Sequence, residues 1–158
     1  MPHSPSLLVV VADGAHARFL HPDAAGVLRT VSRQDDPDAH QRTSDLGTDR
    51  PGRSFESANP AHHAIAPRHD LHRMAEDAFV RSVAAAVNAA GARGEFAALV
   101  VVAPDRRLGL LTEALDRATA AKLLGTLNKD LVKTPDPEMA AHLSSFIAAH
   151  HRAGGTPG

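Results

Sequence analysis

Two stretches of this chain are apolar without a break, Ser6 to Ala12 (S-L-L-V-V-V-A) and the F-A-A-L-V-V-V-A run that ends at Ala103. Unbroken runs of this length predict strands covered on both faces. After the first run, Asp13-Gly14 signals a tight turn. Ala15 to His21 then alternates, with Ala15, Ala17 and Phe19 on one side and His16, Arg18 and Leu20 on the other. Pro22 to Gly26 turns again, and Val27 to Arg33 predicts a third strand with Val27, Arg29 and Val31 on one face. Short connections between consecutive strands imply an antiparallel meander.

The period changes at Asp70. Leu71, Met74, Ala75, Ala78, Phe79, Val83, Ala86, Val87 and Ala90 recur as one helical stripe, with Asp70 as N-cap and Gly91 or Gly94 as the stop. Beyond Pro104, a helix opens at Asp105 or Arg106, with Leu108, Leu111, Leu115 and Ala118 on one face and Gly109 permitting close packing. Leu123 to Asn128 predicts a last strand. Pro135-Asp136-Pro137 starts a final helix, with Asp136 as N-cap and Met139, Ala140, Leu143, Phe146 and Ile147 facing inward. The order β-β-β-α-β-α-β-α puts strands one, four and five in parallel, joined by right-handed crossovers. It predicts an α/β three-layer sandwich on a mixed five-stranded sheet of ribonuclease-H-like order, with a plain Rossmann-like sheet as the alternative. A single domain over 1–152 with a long loop at 35–69 and a frayed tail at 153–158 completes the expected layout.

Composition narrows the function. The 158 residues contain no Cys, which excludes disulfides, thiolate zinc sites and cysteine nucleophiles. A formal charge of −1 requires any nucleic-acid contact to be local. Trp and Tyr are absent and there are five Phe, a poor supply for an aromatic base-stacking platform. No apolar run reaches a membrane span, and the opening M-P-H-S-P-S lacks signal-peptide character. The expectation is a cytoplasmic protein without membrane contact; its oligomeric state is not legible.

The candidate chemistry gathers in three places. Thr43 to Ala58 (T-S-D-L-G-T-D-R-P-G-R-S-F-E-S-A) is polar and sets Arg50 and Arg53 on either side of a Pro51-Gly52 turn. Pro fixes its own φ and Gly accepts φ > 0, so both guanidinium groups can face one phosphate or carboxylate. Asp49, Arg50, Gly52, Arg53 and Ser54, with Lys129 from the end of the last strand, are the candidate residues for binding such a ligand. The plainer reading is a solvated connector whose arginines pair with Asp45, Asp49 and Glu56, and a Lys129-Asp130 pair in solvent.

A second group is Asp13, Glu76 and Asp105, the carboxylates that could gather two Mg²⁺ ions at the strand ends of a nuclease. Asp13 reads equally as a turn residue and Asp105 as a helix cap. The third is His69, His72 and Glu76, spaced i, i+3, i+7 with His62 and His63 nearby, a candidate Zn²⁺ or Ni²⁺ site without a specific motif. No nucleophile elbow, Walker loop or G-x-G-x-x-G occurs, and no cofactor is expected.

V-V-V-A-D-G-A-H-A-R-F-L at Val9–Leu20, D-L-G-T-D-R-P-G-R-S-F-E-S-A at Asp45–Ala58, L-V-V-V-A-P-D-R-R-L-G-L-L at Leu99–Leu111 and L-N-K-D-L at Leu127–Leu131 together resemble the bacterial host attachment protein family. The resemblance runs nearly end to end, with D-R-P-G-R-S as its most specific block. It implies kinship with the central domain of archaeal and eukaryotic class 1 release factors, and so a ribosome- or RNA-associated role linked to translation. That domain hydrolyses peptidyl-tRNA through a Gly-Gly-Gln loop, which is missing here: Gln34 and Gln41 have no adjacent Gly. The expectation is therefore a non-enzymatic binding factor, with a metal-dependent hydrolase or nuclease, or a literal host-cell attachment factor, as alternatives.

Overall fold

A computed structural model describes residues 6–37 and 68–155. The loop from Thr43 to Ala58, with Asp49, Arg50, Gly52, Arg53 and Ser54, lies outside the described residues, as do His62 and His63.

The two apolar runs form adjacent parallel strands, β1 (Leu7–Ala12) and β4 (Ala98–Val102), with every residue of both buried. β2 (His16–Pro22) and β3 (Leu28–Asp35) extend the sheet antiparallel on one side, and β5 (Leu123–Leu127) adds a parallel strand on the other. The order β3-β2-β1-β4-β5 is the expected mixed five-stranded sheet, with β1 in the middle. A register shift at Phe19/Leu20 pairs Phe19 with Ser32 and Leu20 with Thr30, so Val31 is the extra residue of a bulge and is 59% exposed.

Alternation along the strands divides the core in two. One face buries Leu8, Val10, Leu99 and Val101 under α1 (Arg68–Ala92) and α2 (Asp105–Glu113). A one-turn helix, α3 (Arg117–Ala120), follows, capped by Asp116, whose side chain accepts from the Thr119 amide. The other face buries Leu7, Val9, Val11, Val100 and Val102 under Met139 and Leu143 of α4 (Asp136–Gly155). Gly125 of β5 makes room there, since a Cβ would clash with the Phe146 ring.

Some expectations are corrected. The long helix begins at Arg68, so Asp70 sits in its first turn. Of the expected stripe, Leu71, Met74 and Ala78 are exposed, while Phe79, Val83 and Val87 are buried and are joined by Val80 and Ala84. Gly109 does not serve close packing: it is exposed, and an added Cβ would meet nothing nearer than Glu113 Oε2 at 4.0 Å. Ala118 is exposed in α3, outside the second helix.

Arg18 is the least expected residue. It is 3% exposed at the centre of β2. Its Nη1 donates to the carbonyls of Leu131 (3.3 Å), Val132 (2.9 Å) and Thr134, its Nε to Thr30 Oγ1 (3.2 Å), and its Nη2 to Asp136 Oδ1. Thr30 donates its amide to Asp136 Oδ2 (2.9 Å) and its hydroxyl to Oδ1 (2.6 Å). Asp136 therefore stands inside the first turn of α4 with both oxygens turned to β2 and β3. Burial works against ionisation of this carboxyl, but the Thr30 bonds and the Arg18 charge outweigh it and hold its pKa below the ordinary value.

Three stability predictions arise. Asp136→Ala should cost about 3 kcal/mol by leaving Arg18 buried and unpaired, and adding Arg18→Met should recover part of it. Because the folded-state pKa is depressed, the Asp136 contribution is complete above an unfolded value of about 3.9 and is lost as pH falls through the folded one. Denaturation at pH 2 to 6 should thus show a shallower acid decline for Asp136→Asn than for the parent. Separately, Gly109→Ala should raise stability by about 0.5 to 1 kcal/mol, as expected for an exposed helical glycine with no packing role.

Candidate functional site

The carboxyl ends of β1 and β4 open into a cleft of about 310 Å³. Its lining includes Asp13, Gly14, His72, Glu76, Arg107, Asp130 and Lys133. The phase of α1 explains why two of these are polar. Steps of four along the buried side run Ala84, Val80, Glu76, His72, one line on a helix. Over the sheet the line meets strand side chains and is apolar. Past the strand ends it meets the cleft.

Glu76 is held from two directions, with its side chain 17% exposed. Arg107 Nη2 donates to Oε1 at 2.8 Å, and His72 Nε2 lies 3.4 Å from Oε2. Gly14 is the floor: a Cβ there would stand 2.7 Å from the Glu76 carboxyl. Its glycine requirement is therefore one of space. His72 Nδ1 and Arg107 Nε are buried without a hydrogen-bond partner among the described residues.

Asp13 follows the turn reading. Its Oδ1 accepts from the amides of Ala15 (2.8 Å) and His16 (2.7 Å), and its own amide donates to the His16 carbonyl. Asp105 is exposed and takes a left-handed φ of 52°, with its amide donating to Asn128 Oδ1 at 2.8 Å; Pro104, not Asp105, occupies the N-cap of α2. Thus Asp13 and Glu76 share the cleft, while Asp105 does not line it. Among the described residues, no three His, Asp or Glu side chains come together to hold a metal ion. His72 and Glu76 do meet one turn apart; the side chain of His69 is outside the described set. Lys129 is exposed, with Nζ 3.4 Å from His142 Nδ1 of α4.

A larger cleft of about 660 Å³ adjoins the first and shares His16 and Lys133 with it. Arg18, Arg29, Arg33 and Lys133 line it, as do Asp35 and Asp136. Four cations thus stand against two carboxylates. Both carboxylates are engaged, Asp136 by Arg18 and Asp35 by His16 at 2.8 Å, and Arg29 reaches Asp23 at 3.0 Å. Arg33 and Lys133 are exposed and have no side-chain partner among the described residues. Sequence reasoning missed Arg33, Arg107 and Lys133. Arg107 had a signal, as the second arginine after the P-D turn that follows β4; the other two had none.

The family model described as "Protein required for attachment to host cells" matches residues 8–143. The chain belongs to that family. The match begins in β1 and ends in α4, and so includes every residue named in the two clefts. No curated protein matches the sequence. Among solved structures, that of the archaeal translation termination factor aRF1 is similar over 96% of this chain and 42% of that one, at 11% identity and a TM-score of 0.48. This chain accordingly spans less than half of that factor. Among the described residues, no helix is long and apolar enough to cross a membrane.

The contact between Gly14 and Glu76 can be tested by a double-mutant cycle. Gly14→Ala should cost about 1 to 2 kcal/mol in the parent by pushing the Glu76 carboxyl off Arg107 and His72. In a Glu76→Ala background the same change should cost almost nothing, measured by chemical denaturation.

Proposed function

We propose that this member of the host attachment family is a non-enzymatic binding protein for structured RNA, with the ribosome as the assembly it engages. The reading is carried by the larger cleft. On a chain of formal charge −1, Arg33 and Lys133 are exposed there while the two carboxylates that line the same cleft, Asp35 and Asp136, are engaged by other groups. Localised cations of this kind suit phosphate oxygens, which position a nucleic acid without reading its sequence. Arg50 and Arg53, flanking Pro51-Gly52, supply two further forked donors, with Asp49 and Ser54 beside them and Lys129 at the end of β5. The small cleft supports binding over turnover, because Glu76 is tied to Arg107 and His72, and one oxygen of Asp13 holds its own turn. A factor of this kind, placed in the cytoplasm, would act on host attachment through translation.

Co-sedimentation with ribosomes across a salt series tests the reading. Each phosphate contact contributes roughly 0.7 to 0.9 to the slope of log affinity against log salt. Replacing Arg50 and Arg53 together by Ala should weaken binding and flatten that slope by nearly two contacts, with stability changed by less than about 0.5 kcal/mol. Gly52→Val should weaken binding while the charge stays intact, because a β-branched residue resists φ > 0. If the parent does not co-sediment, or the double variant matches it at every salt concentration, the loop does not bind RNA.

A further inference from the structure

The two clefts are contiguous, since His16 and Lys133 line both, while Asp130 lines only the smaller and Arg33 only the larger. In the larger one the exposed groups without a side-chain partner among the described residues are Arg33 and Lys133. In the smaller one the carboxylates Asp13 and Glu76 already accept hydrogen bonds within the protein. Asp130, three residues before Lys133, is exposed and has no side-chain partner among the described residues. A free carboxylate beside a phosphate track repels a bare polyanion. It becomes favourable when the ligand carries a hydrogen-bond donor close to each phosphate, because an ionised carboxylate is an acceptor only.

The 2′-hydroxyl of ribose is such a donor, and it is the group that distinguishes RNA from DNA at a given site. We infer that the joined clefts form one site for a ribonucleotide unit, with its phosphate on Arg33 and Lys133 and its 2′-hydroxyl donating to Asp130. The volumes of about 310 and 660 Å³ fall within the range usual for small-ligand sites. This deepens the RNA-binding reading and rests on it. It adds discrimination against DNA, which the arginine pair of the loop does not provide.

The test is fluorescence anisotropy of the full chain with a labelled single-stranded RNA oligonucleotide and with DNA of the same sequence. The parent should prefer RNA by about tenfold, the worth of one hydrogen bond to a charged acceptor. Asp130→Ala should abolish the preference by weakening RNA binding and leaving DNA binding unchanged or tighter. Arg33→Ala with Lys133→Ala should weaken both probes alike and flatten the salt slope. All three residues are exposed, so circular dichroism should show the variants folded. Equal binding of RNA and DNA by the parent overturns the inference while leaving the RNA-binding reading intact. A full RNA preference surviving in Asp130→Ala overturns it as well. No binding of RNA at all removes both.

Discussion

A guanidinium buried in the middle of a strand, carrying five N–H donors and no acceptor, has to be surrounded by acceptors. Arg18 meets that demand with the carbonyls of Leu131, Val132 and Thr134, the hydroxyl of Thr30 and the carboxylate of Asp136. The consequence reaches beyond one ion pair. Residues 131–134 have no strand or helix to hold them, yet their backbone is pinned against β2, so the chain arrives at α4 in a defined place. Leu131 and Val132 then bury their side chains in the lower core, and Lys133 between Val132 and Thr134 is left at the mouths of both clefts. A residue whose guanidinium is engaged within the protein thus sets where the candidate ligand groups stand.

The second constraint is the length of α1. At 25 residues it outruns the strands it covers, so its inner line must change character where the sheet stops. Val80 and Ala84 pack on strand residues; Glu76 and His72, one and two turns earlier, have only turns beneath them. Buried charge there needs partners, and Arg107 from the start of α2 supplies one. The same geometry removes the Cβ at residue 14. The cleft therefore follows from a helix longer than its sheet, filled by an ion-paired network whose members restrain one another.

Function follows from which charges are engaged and which remain free. The engaged set, Arg18 with Asp136 and Arg107 with Glu76, lies beneath the surface and organises the backbone. Arg33, Lys133 and Asp130, each without a side-chain partner among the described residues, lie on the rims of the clefts. It is on this rim of unengaged charge that the proposed contact with a charged polymer rests.

The sequence alone carried the element order, the central placement of β1, the parallel pairing of β1 with β4 and the α4 face through Met139 and Leu143. These depend on local periodicity and on unbroken apolar runs, and periodicity is a property of neighbouring residues. It also placed Asp13 and Glu76 at the sheet end, because a strand's end and a helix's start are visible in the pattern. Tertiary structure decided the rest. Arg18 looked like half of an alternating strand, and its burial depends on carbonyls more than a hundred residues away. The stripe through Leu71 and Met74 looked apolar, but its phase was set by the sheet beneath α1, which put His72 and Glu76 inward instead. Arg33, Lys133 and Asp130 became a candidate site only when β3 and the segment before α4 met. Contacts between distant segments leave no local period, so no reading of neighbouring residues could show them.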